Sequence, residues 1–227
     1  MSQRDTVRSA IRRALHAGEG DATRDAAVAE RLGQRPRGIV PKRGDLPPAE
    51  RVALFRTMAE RADATVEQIG KTDDVPEAVA RYLRDRNLPA SLRMGADARL
   101  ASLDWSGSPI DVAHGPSDGN DTAALSHATT GIAEIGAVVL TSGPDNPTTL
   151  NFLPDAHVVV IDAGDIVGDY ETAWDRIRVA TGDRTMPRTV NIIVGPSRSG
   201  DIQQTILLGA HGPRNVHILI VGEADGG

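Results

Sequence analysis

The sequence predicts an α/β fold with a mainly parallel sheet flanked by helices. Short β-branched apolar runs recur at 137–140, 157–161, 190–194 and 216–221, with the length and composition of strands buried on both faces. Amphipathic helical patterns alternate with such runs, and the runs end abruptly in Gly- and Pro-containing loops. The unit from Thr189 to Val221 reads as strand, loop, helix, turn and strand, and a parallel crossover of that kind places its loop at the carboxyl edge of a sheet.

The 227 residues suffice for one substantial core, and with aromatics at 3% that core must be built from Ala, Val, Leu and Ile. Acidic residues outnumber Lys plus Arg by 31 to 25, so no bulk basic field exists to hold nucleic acid. The absence of cysteine excludes disulfides, thiolate nucleophiles and Cys-held iron–sulfur clusters in this chain. With no long apolar segment and no signal-peptide pattern, the expected location is the cytoplasm, with no membrane span.

Residues 1–48 are read as an N-terminal helix and extended arm, and residues 49–227 as the α/β domain. Val7, Ala10, Ile11, Ala14 and Leu15 give residues 5–17 a helical spacing, and Gly18 stops it. Residues 19–48 are rich in Gly, Pro, Arg and Asp with few core formers, which reads as an arm. Packing on the main domain, docking on another subunit of a homo-oligomer, or simple fraying all suit it. Pro47-Pro48 introduces a helix over 49–62, Thr65 to Ile69 alternates like a strand, and Val75 to Arg86 is a helix with Pro76 near its start. A weak strand at 88–94, a short helix at 100–105 and a short strand at 110–112 complete a first half. In the second half, residues 127–135 read as helical, 137–140 and 157–161 as buried strands, and 169–180 as a helix.

Three separated segments resemble one family: Gly131-Ile132-Ala133-Glu134, the run from Gly195-Pro196-Ser197-Arg198-Ser199-Gly200-Asp201 to Thr205, and Gly209-Ala210-His211-Gly212-Pro213. In order and spacing they are similar to the LUD-domain family of lactate-utilisation proteins. The resemblance implies a fold of the ribose-5-phosphate isomerase, CoA-transferase and 5-formyltetrahydrofolate cyclo-ligase group. It also implies a role as the cluster-free component of L-lactate oxidation to pyruvate, with clusters held by iron–sulfur protein partners and no cofactor of its own. A stand-alone transferase, isomerase or cyclo-ligase-like enzyme is the alternative. Where the family pattern has Thr-Gly-Thr after the glutamate, this chain has Ile135-Gly136-Ala137, two hydroxyls fewer.

The residues also suggest chemistry directly. A loop Gly195 to Gly200 leaving a strand and entering a helix at Asp201 would offer free N–H groups, Arg198, and the Ser197 and Ser199 hydroxyls to an anionic small molecule. The same residues would equally serve as a turn and a helix cap. Thr141 and Ser142 leave another strand end and join the ligand-binding set. Glu134, among Gly, Ile and Ala, needs a partner or a raised pKa; it reads as an acid/base or nucleophile, or as a carboxylate paired with an Arg or a backbone N–H. His211 is the second catalytic candidate, facing a cleft or only covering a helix end. The six histidines show no metal-ligand spacing, and His217 inside an apolar strand reads as a core residue.

Overall fold

A computed structural model describes residues 2–15, 21–182, 185–202 and 205–223, the side chains of 199–202 and 205–207 excepted. The chain divides into two compact units, residues 1–39 and 40–227. The first holds α1 (Gln3–Ala14) and α2 (Ala22–Gln34), neither with a buried residue. Ser2 caps α1 by accepting from the Asp5 N–H, and Asp21 caps α2 by accepting from the Arg24 N–H. The second helix replaces most of the expected extended arm: Ala, Arg and Glu are strong helix formers even where no apolar stripe announces them.

The second unit runs α3 (Pro48–Arg61), β1 (Thr65–Ile69), α4 (Val75–Asp85), β2 (Ser91–Met94), α5 (Ala98–Ala101), β3 (Asp111–His114), β4 (Ala123–His127), β5 (Thr130–Ile132) and β6 (Ala137–Thr141). It continues with β7 (Ala156–Asp162), β8 (Ile166–Val167), α6 (Tyr170–Thr181), β9 (Val190–Ile193), β10 (Arg198–Ile202), β11 (Thr205–Leu208) and β12 (Asn215–Val221). Six strands pair in the order β1-β12-β7-β4-β2-β3, every pair parallel. A four-stranded mixed sheet has the order β8-β5-β6-β9, and β10 and β11 form an antiparallel hairpin.

Alternation along the central strands builds two cores. Leu125, Val158, Val160, Leu219 and Val221 face α4, whose Val75, Ala78, Val79, Tyr82 and Leu83 fall on one helical face. Val159, Ile161, Ile218 and Ile220 face the other way, onto Val52, Phe55 and Ala59 of α3 and onto Val138 and Leu140 of β6. The small sheet thus lies against the large one, and Ala173 and Ile177 of α6 cover its outer face at Ile132, Ala137 and Val139.

Two expectations are overturned here. Residues 127–135 are not a helix; they hold the end of β4 and all of β5, because Thr130, Gly131 and Ile132 find strand partners in β6 and β8. The segment after residue 200 is no helix either, but the β10–β11 hairpin, and β9 and β12 lie in different sheets, so no crossover unit exists. Apolar residues at 202 and 206–208 fit a helical face and a hairpin equally well, and pairing with the opposite strand decides.

The turn between β5 and β6 presses on α3. Gly136 has φ +67°, and a Cβ there would lie 2.1 Å from the Ala59 nitrogen. Gly136→Ala therefore lowers stability by about 2 kcal/mol or more in urea denaturation, whereas Gly164→Ala, with open space around it, changes it by less than about 1 kcal/mol.

Candidate functional site

The sequence-predicted site residues separate into three places. Gly195, Ser197 and His211 lie near the amino edge of the large sheet. The Ser197 N–H donates to the Pro213 carbonyl at 2.8 Å, the His211 N–H to the Ser197 hydroxyl at 3.3 Å, and the chain enters β12 two residues after Pro213. Gly195, at φ +67°, packs against the Ala62 carbonyl at the end of α3. The expected position at a carboxyl edge is thus reversed, and no helix N-terminus follows to polarise the loop, because β9 runs antiparallel to β6 and continues into a hairpin. Arg198 pairs with Asp63, both about half exposed, a kind of ion pair that contributes little to stability. Ser199, Gly200 and Asp201 belong to β10, and their side chains lie outside the described residues.

Glu134 occupies the turn at the amino end of β6 and is 2% exposed. Its Oε1 accepts from the Tyr170 N–H at 3.3 Å, at the start of α6, and its Oε2 lies 3.6 Å from Arg43 Nε. Its own N–H donates to the Gly168 carbonyl at 3.1 Å, and Gly168 in turn packs backbone to backbone on Gly44. Of the readings open from sequence, this geometry is that of a carboxylate paired with an arginine and a backbone N–H, and it clasps three segments together.

Thr141 goes to the opposite end of β6, where its hydroxyl is 3.1 Å from that of Thr129, while Ser142 is bound to Thr189 by two hydrogen bonds of 2.9 Å. The loop that follows crosses the end of β2: the Ala96 N–H donates to the Pro144 carbonyl at 3.1 Å. Thr141 thereby stands at the carboxyl edge of the parallel sheet, and that edge holds a polar cluster which the sequence did not single out.

There β4 ends at His127, β7 at Asp162, and β2 leads into Asp97 and Arg99. His127, with a side chain 1% exposed, donates from Nδ1 to the Ala128 carbonyl at 3.0 Å, and its Nε2 lies 3.4 Å from Asp162 Oδ2. Arg99 grips Asp97 in a fork, Nε to Oδ1 at 3.0 Å and Nη2 to Oδ2 at 2.7 Å. Burial pushes Asp97 up, but the hydrogen bonds and charge of Arg99 outweigh it and hold the carboxyl below its usual range. Burial, with the Arg99 charge, lowers the His127 pKa against the opposing pull of Ala128, Asp162 and Asp97. A neutral imidazole, a half-exposed carboxylate and a half-exposed guanidinium therefore share one edge, the place where open α/β folds bind ligands. The available signal was a His and an Asp each closing a buried strand, 35 positions apart, which only the register joins.

Two further histidines are structural. His157 is fully buried and bonded to the Ser126 hydroxyl at 3.0 Å; His217 stacks on the Tyr82 ring at 4.2 Å and meets the Thr65 hydroxyl at 2.8 Å. Among the described residues no group of three His, Asp or Glu is placed to hold a metal ion, and no helix is long and apolar enough to cross a membrane.

Residues 120–221 match the model of the LUD domain. Over that segment the chain resembles the LUD domain. An uncharacterized protein from Neisseria meningitidis is 33% identical over 150 residues, which are 63% of this chain and 64% of that protein. Lactate utilization protein C of Bacillus subtilis is 35% identical over 94 residues, and that of Shouchella clausii 32% over 92. The match spans about two fifths of each: 39% of the first and 40% of the second. The crystal structure of a DUF162 family protein from Deinococcus radiodurans superposes with a TM-score of 0.59 at 21% identity, covering 78% of this chain and 99% of that one, and it shares the fold. The matched segment holds Glu134, Thr141, His127, Asp162, Ser197 and His211, whereas Asp97 and Arg99 come from the preceding residues.

Burial holds His157 and His217 to a pKa of about 4, the charge of Arg86 adding to the effect on His217. Both are neutral in the fold and free to protonate when unfolded, so their contribution is complete above about pH 6.5 and is lost as pH falls toward 4. Urea unfolding should show a loss on the order of 3 kcal/mol per histidine across that window, with a shallower fall in His217→Gln. Glu134→Ala leaves the Tyr170 N–H and Arg43 without their partner; it should cost roughly 1–3 kcal/mol in the same measurement, with Glu134→Gln closer to wild type.

Proposed function

We propose that this chain is a component of an L-lactate utilisation system, without an iron–sulfur cluster of its own, that acts together with iron–sulfur proteins. The observation that carries this reading is the LUD-domain match combined with identity of 32–35% to lactate utilization protein C over 92–94 residues. The lack of any cysteine agrees with a division of labour in which redox clusters sit in partners. The exposed apolar residues Val7 and Ile11 of α1, with Leu15 just after it, suit docking on such a partner.

A second reading, a self-sufficient enzyme of the transferase, isomerase or cyclo-ligase kind, is favoured by His127 and Asp162, two titratable groups 3.4 Å apart at the end of a parallel sheet. Glu134 is less suited to the nucleophile's part, since both its oxygens face cationic or N–H partners.

Affinity purification of the tagged chain from lactate-grown cells should recover Cys-rich iron–sulfur proteins, and deletion of its gene should abolish growth on L-lactate while sparing growth on pyruvate. Recovery of no such protein together with normal growth on L-lactate would sink the first reading and leave the second.

A further inference from the structure

The hydrogen-bond inventory at the carboxyl edge constrains what binds there. A carbonyl oxygen only accepts, so the 3.0 Å contact between His127 Nδ1 and the Ala128 carbonyl places the ring hydrogen on Nδ1. Nε2 of the neutral ring then presents a lone pair, and it does so toward another acceptor, Asp162 Oδ2, 3.4 Å away. Two acceptors facing each other call for a donor between or beside them. The imidazole is 1% exposed on its side chain while Asp162 is 43% exposed, so a donor reaches Nε2 from the solvent side, past the carboxylate.

Arg99 has the complementary need. Its fork to Asp97 uses one hydrogen on Nε and one on Nη2, which leaves both Nη1 hydrogens and the second Nη2 hydrogen for an acceptor. Its side chain is 48% exposed, so that outer edge is accessible, and the positions of Asp162 and His127 lie within range of its charge. A cation with a free planar edge favours a carboxylate, which it meets with two parallel hydrogen bonds.

We propose that the outer edge of Arg99 and Nε2 of His127 form a binding site for a small 2-hydroxycarboxylate, the carboxylate on Arg99 and the hydroxyl donating to His127. Asp97 positions Arg99, the Ala128 carbonyl fixes the His127 tautomer, and Asp162 accepts from the ligand or from water beside it. A carboxylate lacking the hydroxyl satisfies Arg99 alone, and a 2-oxocarboxylate does the same, its keto oxygen offering the neutral Nε2 only a further acceptor. The assignment names a ligand class for the system proposed above and rests on that reading for its choice of probe, L-lactate, but not on the partners.

The test is titration of the full-length 15N-labelled protein with L-lactate, propionate and pyruvate at pH 7.5, following the His127 ring nitrogens in long-range 1H–15N spectra. L-lactate should shift Nε2 saturably while Nδ1 stays protonated, and propionate should bind roughly tenfold more weakly for want of one hydrogen bond. Arg99→Gln should weaken both, and Arg99→Lys should restore part of the loss through charge without the fork. His127→Gln should bring L-lactate close to propionate. Equal affinity for L-lactate and propionate, undiminished binding in Arg99→Gln with a native-like spectrum, or an unperturbed His127 at tens of millimolar L-lactate overturns the proposal. Such a failure leaves the growth and purification results untouched, so the two readings fail separately.

Discussion

Strand β7 is the constraint on which the rest depends. It pairs on both sides, with β12 and with β4, and it is buried on both faces: Val158 and Val160 go to the core under α4, Val159 and Ile161 to the core shared with α3 and the small sheet. Because successive side chains point to opposite faces, a slip of one residue would exchange the two cores. The register that keeps both cores filled also sets His127 and Asp162 on one face at one edge.

That arrangement gives the two ends of the sheet different work. At the amino edge, Ser197, His211 and the close contact of Gly195 with Ala62 tie the segment after β9 to the entry of β12. Glu134 fastens the β5–β6 turn to α6 and to Arg43. These contacts fasten neighbouring segments to one another. At the carboxyl edge the polar groups are only partly paired with one another, and the surplus of acceptors at His127 and donors at Arg99 gives that edge its capacity for a ligand.

Strands made of β-branched runs were legible because little else buries such residues: 137–140, 157–161 and 216–221 all fall within strands. Helices α3, α4 and α6 were legible for the opposite reason, a single apolar face with a Pro or Asp at its start. Segments poor in either signal were misread. Residues 22–34 are helical without an apolar stripe, residues 130–132 owe their strand to two neighbours, and the apolar spacing of 202–208 fits two structures until a partner strand selects one. The motif residues are legible as motifs, but nothing in a linear order says whether Glu134, Thr141 and Ser197 meet, and β6 separates the first two by its whole length.

The sequence by itself determined the α/β class, the aromatic-poor aliphatic core, the lack of any thiolate chemistry, and the resemblance to the LUD domain, since each follows from residue type, spacing or composition. Tertiary structure alone decided which polar residues meet. His127 stood in a stretch misread as helix and Asp162 in a loop, and Asp97 and Arg99 preceded the recognisable segment. Parallel strands brought their ends to one edge whatever the distance along the chain, and that geometric fact, invisible in the order of residues, created the site.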